Sequence, residues 1–251
     1  MFLSPSLPST FQLASDEVHT WCASLDVPPE TSARLYATLT PDERTRSARF
    51  QFERDQQRFI VARGVLRDLL GRYLQIQPGK ISFVYNAFGK PDLGPEFANR
   101  LKFNLSHSAG LALIAIATAS NVGVDLEYIR AQSDYADIAR HFFSAVEVDY
   151  LMALPSHLYA EAFFSCWTKK EAYLKACGEG LAIPLNSFSV PLTTDPAPTP
   201  LDLYASKGIV PARRWSLYTL RPAPGYAGAL AIEGTGWRLH QWQWKIPQRV
   251  E

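Results

Sequence analysis

Three carboxylates and one ammonium outline the chemistry open to this chain. In Val122-Gly123-Val124-Asp125-Leu126-Glu127, apolar and acidic side chains alternate. Residues two apart in a strand point the same way, so Asp125 and Glu127 share one face, with Val124 and Leu126 on the other. Two carboxylates that close repel unless a cation lies between them. A hard divalent cation, which prefers oxygen ligands, meets that need. A solvated strand end meets it too, and the Asp-x-Glu pair alone does not choose. Glu171 and Lys175 lie four apart in Trp167-Thr168-Lys169-Lys170-Glu171-Ala172-Tyr173-Leu174-Lys175. On a helix they share a face. By themselves they are an ordinary surface ion pair. Beside Asp125 and Glu127, Glu171 becomes a third carboxylate ligand, with Lys175 a cation next to it.

The surrounding pattern supplies elements to carry these groups. Thr40-Pro41-Asp42-Glu43 reads as a helix start, with a Thr cap, Pro in the first turn and acids behind it; Arg44, Arg46 and Arg49 follow. Residues 54–74 read as a long amphipathic helix, with Arg63 and Arg67 outside its apolar stripe. Residues 81–85 and 101–105 read as strands, the second entering a Ser106-His107-Ser108 loop, and 111–119 as a strand buried on both faces. Past Tyr128 the pattern predicts helices over 138–143, over 144–154 behind a Ser144–Glu147 capping box, and over 161–177, ended at Gly178. A strand is expected within 181–190, loop over 191–211, and three closing strands over 215–220, 228–232 and 236–244.

Four motifs in this order carry a resemblance: Phe88-Gly89-Lys90-Pro91, Asn104-Leu105-Ser106-His107-Ser108, Gly123-Val124-Asp125-Leu126-Glu127, and the Trp167–Lys175 run. Together, over about residues 40–190, the chain resembles the Sfp-type 4′-phosphopantetheinyl transferases. The resemblance implies an α+β fold of two similar lobes related by a pseudo-twofold, each a small, mainly antiparallel sheet packed with helices. We place them at 1–127 and 128–251, with the site in the cleft between. The implied reaction moves the 4′-phosphopantetheine arm of coenzyme A onto a serine of an apo acyl or peptidyl carrier protein. It depends on magnesium and releases adenosine 3′,5′-bisphosphate. The resemblance assigns Asp125, Glu127 and Glu171 to the metal. Coenzyme A falls to Arg46, Phe88, Lys90, Pro91, Ser106, His107 and Lys175. Catalysis falls to Glu171 and Lys175, with Glu147 as a second candidate for the base. For the carrier, the segment leaving the metal strand offers Tyr128, Ile129, Arg130, Tyr135, Arg140 and His141, with Ile138 and Phe142 weighted toward the core. Two rivals stay open: another magnesium-dependent phosphotransferase or hydrolase, and an inactive module that binds coenzyme A or a carrier.

Composition narrows the classes. A chain of 251 residues with 47% hydrophobic and 20% charged residues can bury a full core. A formal net charge of +1 gives no basic excess for nucleic acid. Cys22, Cys166 and Cys177 are odd in number and lack metal-ligand spacing, so they read as reduced thiols of a cytoplasmic protein. The start has no secretory pattern, and 111–119 is too short to span a bilayer. Both lobes lie in one chain, so a monomer suffices.

Overall fold

The computed structural model describes residues 11–97, 100–118, 120–130, 135–192, 199–202 and 214–246. The first lobe is built on β1 (Glu17–Ser24), then α1 (Pro29–Ala37), α2 (Pro41–Ser47) and α3 (Glu53–Leu74). β2 (Phe83–Tyr85) and β3 (Pro91–Leu93) form a short antiparallel hairpin, and β4 (Lys102–Ser108) and β5 (Leu111–Ala117) form a longer one. The apolar stripe of α3, including Val61, Val65, Leu66, Leu69 and Tyr73, packs on Trp21, Phe103, Ile114 and Ile116 of the sheet. Burying that many large side chains, each at about 1.5–3 kcal/mol, is the main force holding helix to sheet. The sequence reading missed α1. Its packing explains Gly64 on α3: a Cβ there would stand 2.5 Å from Leu35 Cβ.

The start of α2 is as expected: the Thr40 amide donates to Glu43 Oε2 at 2.9 Å. That carboxylate is buried and also accepts from Arg63 and Arg67 at 2.6 and 2.7 Å. Arg67 is 1% exposed and donates further to the carbonyls of Pro78 and Ile81. Its position outside the apolar stripe does not place it in solvent. It is a buried charge held by a carboxylate and two carbonyls.

The second lobe begins with β6 (Val122–Tyr128), followed by α4 (Tyr135–Phe142), α5 (Ala145–Met152) and α6 (Ser156–Cys177). It closes with β7 (Thr199–Asp202), β8 (Arg214–Leu220) and β9 (Tyr226–Glu233). The sheet is antiparallel in the order β6-β9-β8-β7. The 22-residue α6 lies on it as the 22-residue α3 lies on the first sheet. The last strand, β10 (Arg238–Gln243), crosses back and pairs parallel to β1, giving the order β10-β1-β5-β4. The expected boundary at 127/128 is therefore corrected. β6 belongs to the second sheet and β10 to the first, because a strand joins the sheet whose edge satisfies its backbone groups.

A third apolar cluster holds the lobes together. Val122, Val124 and Leu126 of β6 meet Val18 and Cys22 of β1, Leu113 and Ala115 of β5, and Leu230 and Ile232 of β9. The expectation of a strand within 181–190 fails: the chain makes two 3-10 turns there, Gly180–Ala182 and Leu185–Ser187. The Ser-His-Ser loop is instead the end of β4. α6 starts five residues earlier than the pattern placed it, at Ser156 directly after Pro155. Part of the loop expected over 191–211 is β7; its remaining inner part lies outside the described residues. Among the described residues, no helix is long and apolar enough to cross a membrane.

Candidate active site

Gly123 sets the geometry of the site. A Cβ on it would lie 2.1 Å from the Ala172 carbonyl oxygen and 2.4 Å from the Ala176 nitrogen. Only hydrogen fits, so α6 presses its backbone onto β6. Gly123, Asp125 and Glu127 alternate onto this face, and Glu171 and Lys175 come down on it from the helix. Lys175 Nζ donates to Asp125 Oδ1 at 2.6 Å and to Ser106 Oγ at 3.0 Å. Ser106 Oγ in turn donates to Asp125 Oδ1 at 2.9 Å.

β4 meets β6 through side chains in place of a backbone ladder. The Val124 amide donates to Asn104 Oδ1 at 2.9 Å, and the Tyr128 amide to Ser108 Oγ at 3.1 Å. Ser108 Oγ donates to Glu127 Oε2 at 2.9 Å. Asn104, Ser106 and Ser108 are two apart on a strand and therefore face the same way. Each supplies a polar atom where β6 leaves one unpaired. This polar seam joins the lobes beside the carboxylates. Sequence reasoning missed Asn104 and Ser108 as site-builders. The signal was present in the alternation Asn-x-Ser-x-Ser, had the segment been read as strand.

Burial and like charge act together on the carboxylates of this face. Asp125 is 3% exposed, and its Oδ2 is buried without a hydrogen-bond partner. A carboxylate oxygen left so has lost its hydration without replacement. The Glu127 carboxyl is held above its ordinary pKa, first by burial and then by the charge of Asp125, against the lowering effect of Ser108. Glu171 is raised as well, by burial, then by Asp125 and Glu127. Glu127 and Glu171, both raised by burial and by the charge of Asp125, together with the open Asp125 oxygen, suit a hard cation held by few carboxylates and by waters. His107, at the outer end of β4, is lowered by burial and then by the Lys175 charge.

A cavity of about 230 Å³ opens next to Glu171 and Lys175, lined also by Phe88, Lys90, Pro91, Leu105 and Gly180. The hairpin turn between β2 and β3 is thus brought to the site. Asn86 builds that turn: its Oδ1 accepts from the Phe88 and Lys90 amides at 3.0 and 2.9 Å. Lys90 Nζ donates to the carbonyls of Ala176 and Val122 at 3.0 and 3.3 Å, tying the turn to α6 and β6, and burial pushes its pKa down to about 8. Arg46 is exposed on α2 with its guanidinium over the Phe59 ring, 5.5 Å from the centroid. It does not line this cavity.

Glu147 is a correction. Its carboxylate is fully buried and accepts from the Ser144 amide, Ser144 Oγ, the Val190 amide and Lys170 Nζ, all at 2.8–2.9 Å. It caps α5 and anchors α6, and has no free oxygen with which to take a proton.

Comparison with known proteins decides the family. A model described as the 4′-phosphopantetheinyl transferase superfamily matches residues 121–231, and one described as the N-terminal part of 4′-phosphopantetheinyl transferase matches 28–119. The 4′-phosphopantetheinyl transferase HetI of Nostoc sp. is 42% identical over 239 residues, covering 94% of this chain and 96% of that protein. The chain belongs to the 4′-phosphopantetheinyl transferases. Sfp of Bacillus subtilis is 31% identical over 166 residues, covering 66% of this chain and 72% of its own length. In this transferase the two family matches meet just ahead of β6, where the sheets also divide.

Proposed function

We propose that this transferase binds coenzyme A across the Phe88–Pro91 turn and α6, and delivers its phosphopantetheine arm to a carrier serine beside Glu171. The buried, unpartnered Asp125 Oδ2 carries the reading: the charge of Asp125 raises both Glu127 and Glu171, and its other oxygen holds Lys175 at 2.6 Å. Asp125, Glu127 and Glu171 would hold a magnesium ion, which neutralises pyrophosphate charge when bound. Lys175 is 31% exposed and can turn from Asp125 toward a phosphate oxygen as a point charge. His107 stands at the same strand end and offers a second contact to phosphate. Glu171 borders the cavity, and in this reading it accepts the serine proton. Leu105, Leu174 and the Phe88 ring give the coenzyme an apolar wall.

For the carrier, α4 and α5 are the supporting surface. Phe142, Val146 and Tyr150 are exposed there, and Arg130 lies close enough to Glu127 to lower its pKa. Tyr135 leaves the proposal: it is buried, stacked on Phe163 at 4.7 Å, and its hydroxyl donates to the Arg130 carbonyl. The test is incubation with coenzyme A, magnesium and a panel of apo acyl and peptidyl carriers, read by intact mass. A gain of one phosphopantetheine is the expected result. Hydrolysis of coenzyme A with every carrier unmodified would overturn it.

A further inference from the structure

A second group of metal-type ligands lies away from the active site. Glu17 and His19 are two apart on β1 and share a face. His240 stands directly opposite His19 in the parallel β1–β10 register. One ligand atom from each of the three lies within 4.8 Å of the others. His240 Nε2 is 3.5 Å from Glu17 Oε1, and His19 Nε2 is 3.7 Å from Glu17 Oε2. Ligand atoms around a tetrahedral zinc ion stand about 3.3 Å apart, so small side-chain rotations close this set.

Two further observations point to a ligand. His240 Nε2 is buried and has no hydrogen-bond partner. His19 Nδ1 lies 2.6 Å from Tyr73 Oη, an oxygen that also accepts from Trp21 Nε1 at 3.1 Å. When His19 Nδ1–H donates to Tyr73, Nε2 keeps its lone pair toward Glu17. That is the outer hydrogen bond that orients ligating histidines. Arg238 competes for Glu17 at 3.2 Å, but it also holds Asp16 through two bonds of 2.9 and 3.0 Å. It can release Glu17 and keep a carboxylate.

We propose that Glu17, His19 and His240 bind one divalent transition-metal ion of the zinc class, clipping β10 to β1. Two imidazoles and a carboxylate suit zinc, and do not suit magnesium, which takes oxygen ligands. The His240 side chain as a whole is 41% exposed, so its ring can turn to admit the ion, and three protein ligands leave a fourth position for water. The clip joins strands far apart in the chain, where a cross-link removes most entropy from the unfolded state.

The experiment is zinc titration of the untagged full chain by calorimetry, with thermal melts and cobalt(II) absorption as second readouts. Wild type should bind one zinc that excess magnesium does not displace, melt roughly 5 °C higher with it, and give tetrahedral cobalt bands. His240→Gln, at a partly exposed position, should fold normally, bind zinc at least tenfold more weakly and lose both the shift and the bands. Asp125→Ala should keep all three. Equal zinc binding by wild type and His240→Gln, loss of binding in Asp125→Ala, or no binding by wild type at large molar excess would each overturn the proposal.

Discussion

Helix α6 carries two lysine–carboxylate pairs, and they are built to opposite ends. Lys170 and Glu147 are 2.8 Å apart, and neither side chain is exposed. Lys170 Nζ donates also to the carbonyls of Leu185 and Phe188 at 2.7 and 2.6 Å, and both Glu147 oxygens accept from amides. Nothing is left open. Lys175 and Asp125 are 2.6 Å apart, yet Asp125 Oδ2 has no partner and Lys175 is 31% exposed. The same two functional groups make a structural anchor where every valence is filled, and the proposed reactive centre where one is left over. A buried ion pair by itself therefore does not mark a site; incomplete satisfaction beside a cavity does.

Exchanging the two outcomes should separate the pairs most sharply. Asp125→Asn should lower transfer at least about a hundredfold, the scale of losing a charge aimed at the reacting phosphate, while the urea midpoint stays near wild type. Glu147→Gln should do the reverse. It leaves Lys170 buried without its counter-charge and should cost about 3–5 kcal/mol of stability, with activity per folded molecule retained. Full activity in Asp125→Asn, or a severe catalytic loss in a stably folded Glu147→Gln, would break the contrast.

Gly123→Ala tests the contact that brings Lys175 to Asp125. The added methyl meets backbone, which cannot swing aside. We expect a loss of about 1–3 kcal/mol or more from overpacking, with transfer falling too as α6 lifts off β6. Retention of both would show that the close approach is not what assembles the site.

The raised pKa values of Glu127 and Glu171 give a pH signature opposite to that of most paired carboxylates. A carboxyl whose folded pKa lies above its unfolded value contributes stability below the unfolded pKa and loses it as pH rises through the folded pKa. Without metal, the double variant Glu127→Gln/Glu171→Gln should therefore melt higher than wild type at pH 7. The difference should vanish as pH falls below 4.5, the unperturbed value. The gain in stability would come with loss of transfer, a trade common at active sites. A variant that melts lower than wild type at pH 7 would refute the repulsion.

Smaller effects are expected at the coenzyme and carrier contacts. Lys175→Ala should weaken coenzyme A binding by about 1–3 kcal/mol in a direct titration. Charge reversal at Arg130 should raise KM for the carrier, with coenzyme A affinity unchanged and the defect shrinking as salt rises. Arg140 should matter less, since it already pairs with Asp137 at 2.8 Å.

Local pattern made much of this molecule legible. The period of α3, the caps at Thr40 and Ser144, the alternation of β6 and the spacing of Glu171 from Lys175 follow from the geometry of one helix or one strand, and each is as expected. The structure brings Glu171, Lys175 and the Phe88–Pro91 turn to one cavity, and Lys175 to Asp125. Partners distant in the chain were not legible. A capping-box glutamate and a catalytic base look alike at Glu147 until Lys170 and Val190 are seen to fill its oxygens. Arg67 lies beside an apolar stripe in sequence, but Glu43 and two carbonyls draw it inside. β10 alternates like any closing strand, and only the open edge of β1 assigns it to the first sheet and sets His240 opposite His19. Periodicity is local and survives in the sequence. Which polar atoms end up satisfied depends on the sum of long-range contacts, and that sum is settled only when the lobes pack.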